Sequence, residues 1–168
     1  MGYIAIDPKS IELNPYDVVM KEWALLSAGT AESCNTMTIG WGAIGAVWGQ
    51  AAFTAYVRQS RYTKEFLDAN DLFTVSFFGD QKRDALMTCG RKSGRDCDKV
   101  AEAGLTTVDL DGTVAFEGAR LVLVCRKAFV QDMPAECFKD QAVFDKWYAD
   151  GDLHTQYIGF IEAAYVQE

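Results

Sequence analysis

The chain has 168 residues, of which 49% are apolar and 24% are charged, a composition typical of folded globular proteins. We therefore predict a single domain over residues 1–168 with a substantial core, and the composition excludes a disordered chain. Sixteen basic and 24 acidic residues give a net charge of −8. This acidity argues against a nucleic-acid binder and against binding to anionic lipid surfaces.

In chain order, the first half of the sequence predicts two short helices and four strands. Asn14 and Pro15 are suited to begin a helix, because asparagine caps free amides and proline fits the first helical turn. Alternation and β-forming residues then predict a strand ending at Gly29 and strands over Cys34–Trp41, Phe53–Arg58 and Leu72–Phe78. A second helix is predicted over residues 61–70.

The second half predicts three helices and two long strands. The helices cover Asp80–Gly90 with Asp80 as the cap, Asp98–Ala103, and residues 142–151; the strands cover Ala119–Met133 and Leu153–Val166. Strands outnumber helices, and the two do not alternate strictly as in a parallel sheet. We therefore predict a mainly β fold with peripheral helices, a closed or nearly closed antiparallel barrel.

Cysteine and histidine usage bears on metals and on the cell compartment. The five cysteines are odd in number and have no CxxC spacing, so the sequence predicts no disulfide framework, no zinc site and a reducing compartment. His154 is the single histidine. No secretory signal is visible, and no apolar stretch approaches the roughly 20 residues that cross a bilayer. We therefore expect a cytoplasmic protein without a membrane segment.

Two glycine-rich segments resemble nucleotide-binding motifs. Residues 40–45 match the G-x-G-x-x-G pattern, but Gly49 and a predicted strand at Phe53 leave no room for the helix that a dinucleotide fold requires. We favour a glycine-rich loop that packs closely against a neighbouring surface. Residues 90–95 lack the order of a triphosphate-binding loop.

A cationic segment contains the strongest candidate site. Residues 58–99 carry a net charge of +2, whereas the rest of the chain sums to −10. Within it, Arg58, Ser60, Arg61 and Thr63 stand where a strand ends and a helix begins, and free helix amides together with guanidinium groups favour phosphate. A solvated surface of mixed charge, with a hydroxyl as helix cap, is the alternative interpretation.

Two further groups leave alternatives open. Asn35, Thr36, Met37 and Thr38 lead towards Trp41 and suit either a flat heterocycle or an ordinary β-strand. His154 begins the last strand and is either a general acid near a redox ring or a hydrogen-bonded structural histidine.

The ordered set of motifs resembles the flavin reductase-like family of FMN-binding split barrels, and within it the flavoredoxin-type members. The resemblance rests on residues 35–42, residues 57–63, the Ser93-Gly94-Arg95-Asp96 run with Lys99, and residues 153–159. It implies a six-stranded antiparallel Greek-key barrel and a homodimer with one FMN per subunit. It also implies electron transfer from NADH or NADPH through flavin to an acceptor, or alternatively a non-enzymatic FMN carrier that serves a redox partner protein.

The resemblance assigns roles by position. Arg58, Ser60, Arg61 and Thr63 would hold the FMN phosphate. The ring and ribityl chain would be lined by Asn35, Thr36, Met37, Thr38 and Trp41, and the site would be closed by Ser93, Gly94, Asp96 and Lys99. His154 would be the catalytic residue near the ring. A module that has lost its cofactor is a third possibility.

Overall fold

The computed structural model describes residues 2–168 and contains ten strands and four α-helices in that range. The strands are β1 (Tyr3–Ile6), β2 (Ala24–Gly29), β3 (Cys34–Ile39), β4 (Gly42–Val47), β5 (Gln50–Arg58), β6 (Leu72–Phe77), β7 (Thr107–Leu110), β8 (Thr113–Phe116), β9 (Leu121–Asp132) and β10 (His154–Gln167). The helices are α1 (Tyr62–Ala69), α2 (Arg83–Arg91), α3 (Lys99–Glu102) and α4 (Gln141–Trp147).

Eight of the strands form one antiparallel sheet. Its order is β3-β2-β6-β9-β10-β5-β4, and β1 also pairs with β10. Strands β7 and β8 form a separate hairpin. The mainly β fold class with peripheral helices is confirmed. The strand number exceeds the six expected, because β1, β4, β7 and β8 are short or glycine-rich and carry a weak sequence signal.

The segment predicted as a glycine-rich loop is strand β4, so that prediction was wrong. Its residues pair with β5 from Gly42 opposite Ala55 to Val47 opposite Gln50. A side chain at Gly42 would lie 2.8 Å from the ring of Phe53. Close approach of the strand to its neighbour therefore requires glycine there, and the glycine pattern reflects sheet packing.

The first helix begins where it was predicted. Pro15 is its first residue, Asn14 accepts a hydrogen bond from the backbone N–H of Tyr16 at 3.0 Å, and the segment continues as a π-helix over Asp17–Lys21. Two other predicted helix boundaries differ. Helix α2 begins at Arg83, not at an Asp80 cap, because Lys82 adopts a left-handed φ of 58°. Helix α4 ends at Trp147, before Gly151, so residues 148–153 form a connection rather than helix.

The core has two layers because β2 is buried on both faces. Ala24, Leu26 and Ala28 face the interior cluster of the sheet, together with Phe53 and Phe73. On the opposite face, Leu25 joins a second cluster that includes Leu86 of α2 and Phe116 of β8. Helix α2 and the β7–β8 hairpin thus cover the outer face of the central strands.

Strand pairing brings distant segments to one end of the sheet. The start of β10 lies opposite the end of β5, with His154 beside Arg58. The β3–β4 connection at Gly40 and Trp41 and the start of α1 lie at the same end, because Gly40, Trp41, Arg61 and His154 border one cleft.

Candidate functional site

A cleft of about 220 Å³ opens at this end of the sheet. Its lining residues are Met37, Thr38, Ile39, Gly40, Trp41, Tyr56, Arg58, Arg61, Trp147 and His154. Six of these were predicted as site residues from the sequence: Met37, Thr38, Trp41, Arg58, Arg61 and His154. The cleft therefore combines aromatic rings with two guanidinium groups.

The aromatic side of the cleft is a contiguous cluster of rings. The Trp41 ring centroid lies 4.9 Å from that of Trp147, edge to face, and 5.2 Å from that of His154. Trp41 is 39% exposed although it is a large apolar residue. Such a surface suits a planar ligand, because offset and edge-to-face contacts between rings are favourable.

His154 is buried within this cluster. The hydroxyl of Tyr148 lies 2.9 Å from its Nδ1 atom at hydrogen-bond distance. Burial, and then the positive charge of Arg58, lower the pKa of His154 from 6.5 to about 4. The imidazole is therefore neutral at neutral pH, so His154 does not act there as an imidazolium acid.

Arg58 holds the connection between α4 and β10. Its Nη2 donates to the carbonyl of Trp147 at 2.7 Å, and its Nη1 donates to the carbonyl of Asp152 at 2.8 Å. Nη1 also lies 3.4 Å from the Asp150 carboxylate. These bonds use three of the five guanidinium donors on the protein itself.

Arg61 is the less engaged cation of the pair. Its Nη1 donates to the carbonyl of Gly90 at 2.9 Å. Burial, and then repulsion from Arg58, lower the pKa of Arg61, although Asp152 acts in the opposite direction. A guanidinium remains charged at any physiological pH. Because this positive charge is partly buried and has another cation beside it, an anion bound in the cleft would stabilise it.

Ser60 already contacts an anionic group of the protein. Its backbone N–H donates to Oδ1 of Asp152 at 3.1 Å, and its hydroxyl donates to Oδ2 at 2.6 Å. Thr63, in contrast, is buried and accepts a hydrogen bond from the amide of Asn35 at 2.9 Å. Of the four predicted phosphate residues, only Arg58 and Arg61 line the cleft.

The remaining predicted residues lie mostly at a second, larger cleft of about 840 Å³. It is lined by Asn35, Gly94, Asp96 and Lys99, together with Cys34 and Tyr62 among others. A side chain at Gly94 would lie 2.3 Å from Oδ1 of Asn35. The loop after α2 is thus held close to β3. The predicted site residues therefore fall into two groups, one at each cleft.

Lys99 is almost completely buried in the wall of this second cleft. Its Nζ lies 3.4 Å from the carbonyls of Cys89 and Lys92. Burial lowers the pKa of Lys99, an effect that the nearby Cys89 opposes. A buried ammonium facing backbone carbonyls serves to hold α2 and α3 together.

Thr36 and Ser93 use their side chains for local structure. Alternation along β3 turns Thr36 away from Asn35 and Met37, and its hydroxyl bonds to Ser27 at 2.7 Å in the buried sheet. The hydroxyl of Ser93 accepts from the backbone N–H of Arg95 in the loop. The structure therefore brings neither side chain to the aromatic cleft.

An apolar groove of about 570 Å³ adjoins the aromatic cleft. The two share Gly40, Trp41 and Tyr56. The groove also contains Tyr16 and Met20, which are 71% and 63% exposed. A ring bound beside Trp41 would therefore have an apolar approach surface on one side.

Residues 2–168 contain neither a metal-binding cluster nor a membrane-spanning helix. No group of three or more His, Cys, Asp or Glu side chains is placed to hold a metal ion in this range. In the same residues, no helix has the length and apolar character needed to cross a membrane.

Comparison with known proteins identifies the family. The model of the flavin reductase like domain matches residues 20–168, which is nearly the whole chain. The chain belongs to this family. No curated protein sequence matches it significantly.

Solved structures show the same fold at low sequence identity. An FMN-binding domain of a flavin reductase-like enzyme from Shewanella baltica OS155 has a TM-score of 0.69 at 15% identity, covering 98% of this chain and 77% of its own. Flavoredoxin from Methanosarcina acetivorans has a TM-score of 0.70 at 23% identity, with 95% and 76% covered. The styrene monooxygenase flavin reductase from Pseudomonas putida S12 has a TM-score of 0.64 at 18% identity, with 88% and 80% covered.

Four residues at the site of this flavin reductase-like chain were not predicted from the sequence. Tyr56 shares a face of β5 with Arg58, so strand alternation carried a usable signal. Trp147, Tyr148 and Asp152 come from the segment after α4 and meet the cleft through the contacts of Arg58 and His154. Local sequence carries no signal for such long-range contacts.

Proposed function

We propose that this flavin reductase-like domain binds FMN in the aromatic cleft and acts as an oxidoreductase, transferring electrons from NADH or NADPH through flavin to an acceptor. The observation that carries the proposal is the shared cleft, in which the rings of Trp41 and Trp147 stand beside Arg61. The aromatic rings suit a planar apolar ligand, and the guanidinium groups suit a phosphate. Bound flavin would supply the redox chemistry, and the protein would supply placement and electrostatics.

The donor set fits the two ends of FMN. Trp41 and the neutral His154 present flat surfaces without a net charge, which suits a ring system. Arg61 presents a desolvated guanidinium, and such groups form strong charge-assisted hydrogen bonds with phosphate oxygens. Met37 and Thr38 of β3 also line the cleft. The role of His154 in this proposal is therefore to position the flavin ring as a neutral group.

Flavin titration tests the binding step. We expect the fluorescence of FMN to be quenched when it binds to the purified protein. Arg61→Ala should raise the FMN dissociation constant about 10- to 100-fold, because it removes a charge-assisted hydrogen bond to the phosphate. Riboflavin, which lacks the phosphate, should bind both proteins equally. The matched control is Arg126→Ala, which removes an exposed arginine on β9 that pairs with Glu162. Equal FMN binding by wild type and Arg61→Ala would contradict the phosphate assignment.

A non-enzymatic FMN carrier is the second candidate. The strongly acidic chain outside residues 58–99, with a net charge of −10, would steer a basic redox partner protein. Steady-state oxidation of NADH or NADPH with added flavin separates the two candidates. Turnover supports the reductase, whereas reduction of bound flavin only by a partner protein supports the carrier.

Assembly and location complete the proposal. We expect a homodimer, since large exposed apolar residues such as Tyr16 and Trp48 usually mark interaction surfaces. The five free cysteines fit the reducing cytoplasm.

A further inference from the structure

Ser60, which follows Arg58 next to the cleft, has two hydrogen-bond donors that could bind an anion, and in the structure both already bind a carboxylate. The backbone N–H and the hydroxyl of Ser60 donate to separate oxygens of Asp152, at 3.1 and 2.6 Å. Two convergent donors of this kind form an arrangement that binds phosphate as well as carboxylate. Asp152 comes from the connection before β10, so the occupant of the position is another part of the same chain.

The charges around this position cancel. Arg58 and Arg61 contribute two positive charges, and Asp150 and Asp152 contribute two negative charges. A third cation, Arg95, donates from Nη1 to the carbonyl of Ser60 at 2.9 Å and is paired with Glu65, so it adds no net charge. Nη1 of Arg58 lies 3.4 Å from Asp150 and 3.9 Å from the Asp152 carboxylate, and Asp152 also acts on the charge of Arg61. A phosphate that approached the two arginines would therefore also meet a carboxylate at close range.

We propose that Asp152 determines flavin selectivity by disfavouring the phosphorylated end of the ligand. This inference rests on the proposed flavin-binding function. The phosphate of FMN must displace the Asp152 carboxylate from Ser60 or bind beside it. Displacement breaks the two hydrogen bonds between Ser60 and Asp152, and binding beside the carboxylate brings like-charge repulsion, so both alternatives weaken binding. Riboflavin carries no phosphate and bears neither cost. The preference for FMN over riboflavin is then smaller than it would be if Arg58 and Arg61 acted without Asp152.

The surroundings of Asp152 permit its displacement. The Asp150 side chain is 66% exposed, and the space around Gly151 is open, with no heavy atom within 4 Å of a Cβ placed there. The Asp152 side chain itself is 23% exposed. Its position is maintained by the bonds to Ser60 and by the bond from Arg58 to its carbonyl. Exchange of one anion for another at Ser60 requires only a local movement.

The test compares FMN and riboflavin on two isosteric variants. Asp152→Asn keeps the size and acceptor oxygen of the side chain but removes its charge. Glu136→Gln makes the same change in charge on an exposed residue before α4 and serves as the control. Dissociation constants are measured by flavin fluorescence for wild type and both variants, and thermal unfolding verifies that each protein is folded. Asp152→Ala provides a second removal of the carboxylate.

We expect Asp152→Asn and Asp152→Ala to tighten FMN binding about 10-fold, the equivalent of about 1.4 kcal/mol, with riboflavin binding within 2-fold of wild type. Glu136→Gln should leave both constants unchanged. If the Asp152 variants bind FMN no tighter than wild type, or change both flavins equally, the inference is overturned while the flavin function stands. If no protein in the set binds either flavin, the proposed function and this inference both fail.

Discussion

The neutral form of His154 makes protein stability depend on pH. The folded protein holds the pKa of this residue at about 4, against 6.5 in an exposed histidine, because of burial and the charge of Arg58. Between these two values the unfolded chain binds a proton that the folded chain does not. The contribution of His154 is therefore fully present above pH 6.5 and is lost as the pH falls towards 4.

We expect His154→Gln to reduce this pH dependence. In wild type, one proton changes the free energy of unfolding by up to about 1.4 kcal/mol per pH unit between pH 6.5 and 4. Chemical denaturation at several pH values measures the slope. Tyr148→Phe is the control, since it removes the hydroxyl at Nδ1 but keeps the histidine. Identical slopes for wild type and His154→Gln would contradict the buried neutral state.

The long strand β10 depends on a glycine where it crosses β9. The register between the two strands shifts at Ile158 and Gly159. A side chain at Gly159 would lie 2.6 Å from the ring of Phe73 and 2.9 Å from Cβ of Cys125. Both neighbours are fully buried, so neither has room to move without disturbing the core.

We expect Gly159→Ala to lower the free energy of unfolding by about 1–3 kcal/mol through overpacking. Gly45→Ala on β4 is the matched control, because a Cβ there meets no atom within 4 Å. That variant should be unchanged or up to about 1 kcal/mol more stable, since alanine loses less backbone entropy than glycine. Denaturant unfolding measures both, and equal effects would show that local crowding at β10 is unimportant.

The exposed apolar side chains among residues 2–168 include two groups that lie close together in the structure. Tyr16 and Met20 border the groove beside the aromatic cleft. Trp48 and Phe129 form an exposed aromatic pair with ring centroids 6.3 Å apart. A chain of this size would bury such surface on association.

We expect the protein to be a homodimer at micromolar concentration. Light scattering coupled to size-exclusion chromatography should report about twice the chain mass of 18.6 kDa. A mass that stays at the monomer value as concentration increases would contradict the proposed dimer. The measurement is made without and with FMN, so that assembly and flavin binding are distinguished.

Local patterns in the sequence were sufficient for the main elements of the fold. Period-two alternation identified β5, where Phe53, Ala55 and Val57 are all fully buried. Elements such as β5 depend on neighbours close in the chain, which local patterns record. The resemblance carried by the ordered motifs indicated the family and six residues of the aromatic cleft. Glycine-rich β4 was misinterpreted, because its form depends on the ring of Phe53 from the adjacent strand.

Only the tertiary structure decided how the predicted site residues divide between two clefts and which groups they contact. The residue pairs that decide this are far apart in sequence, such as Ser60 with Asp152 and Asn35 with Thr63. Such contacts arise when strand pairing brings the start of β10 beside the end of β5. A one-dimensional pattern contains residue types and spacings, but the partners of a charged or polar group are determined by the packing of the whole chain.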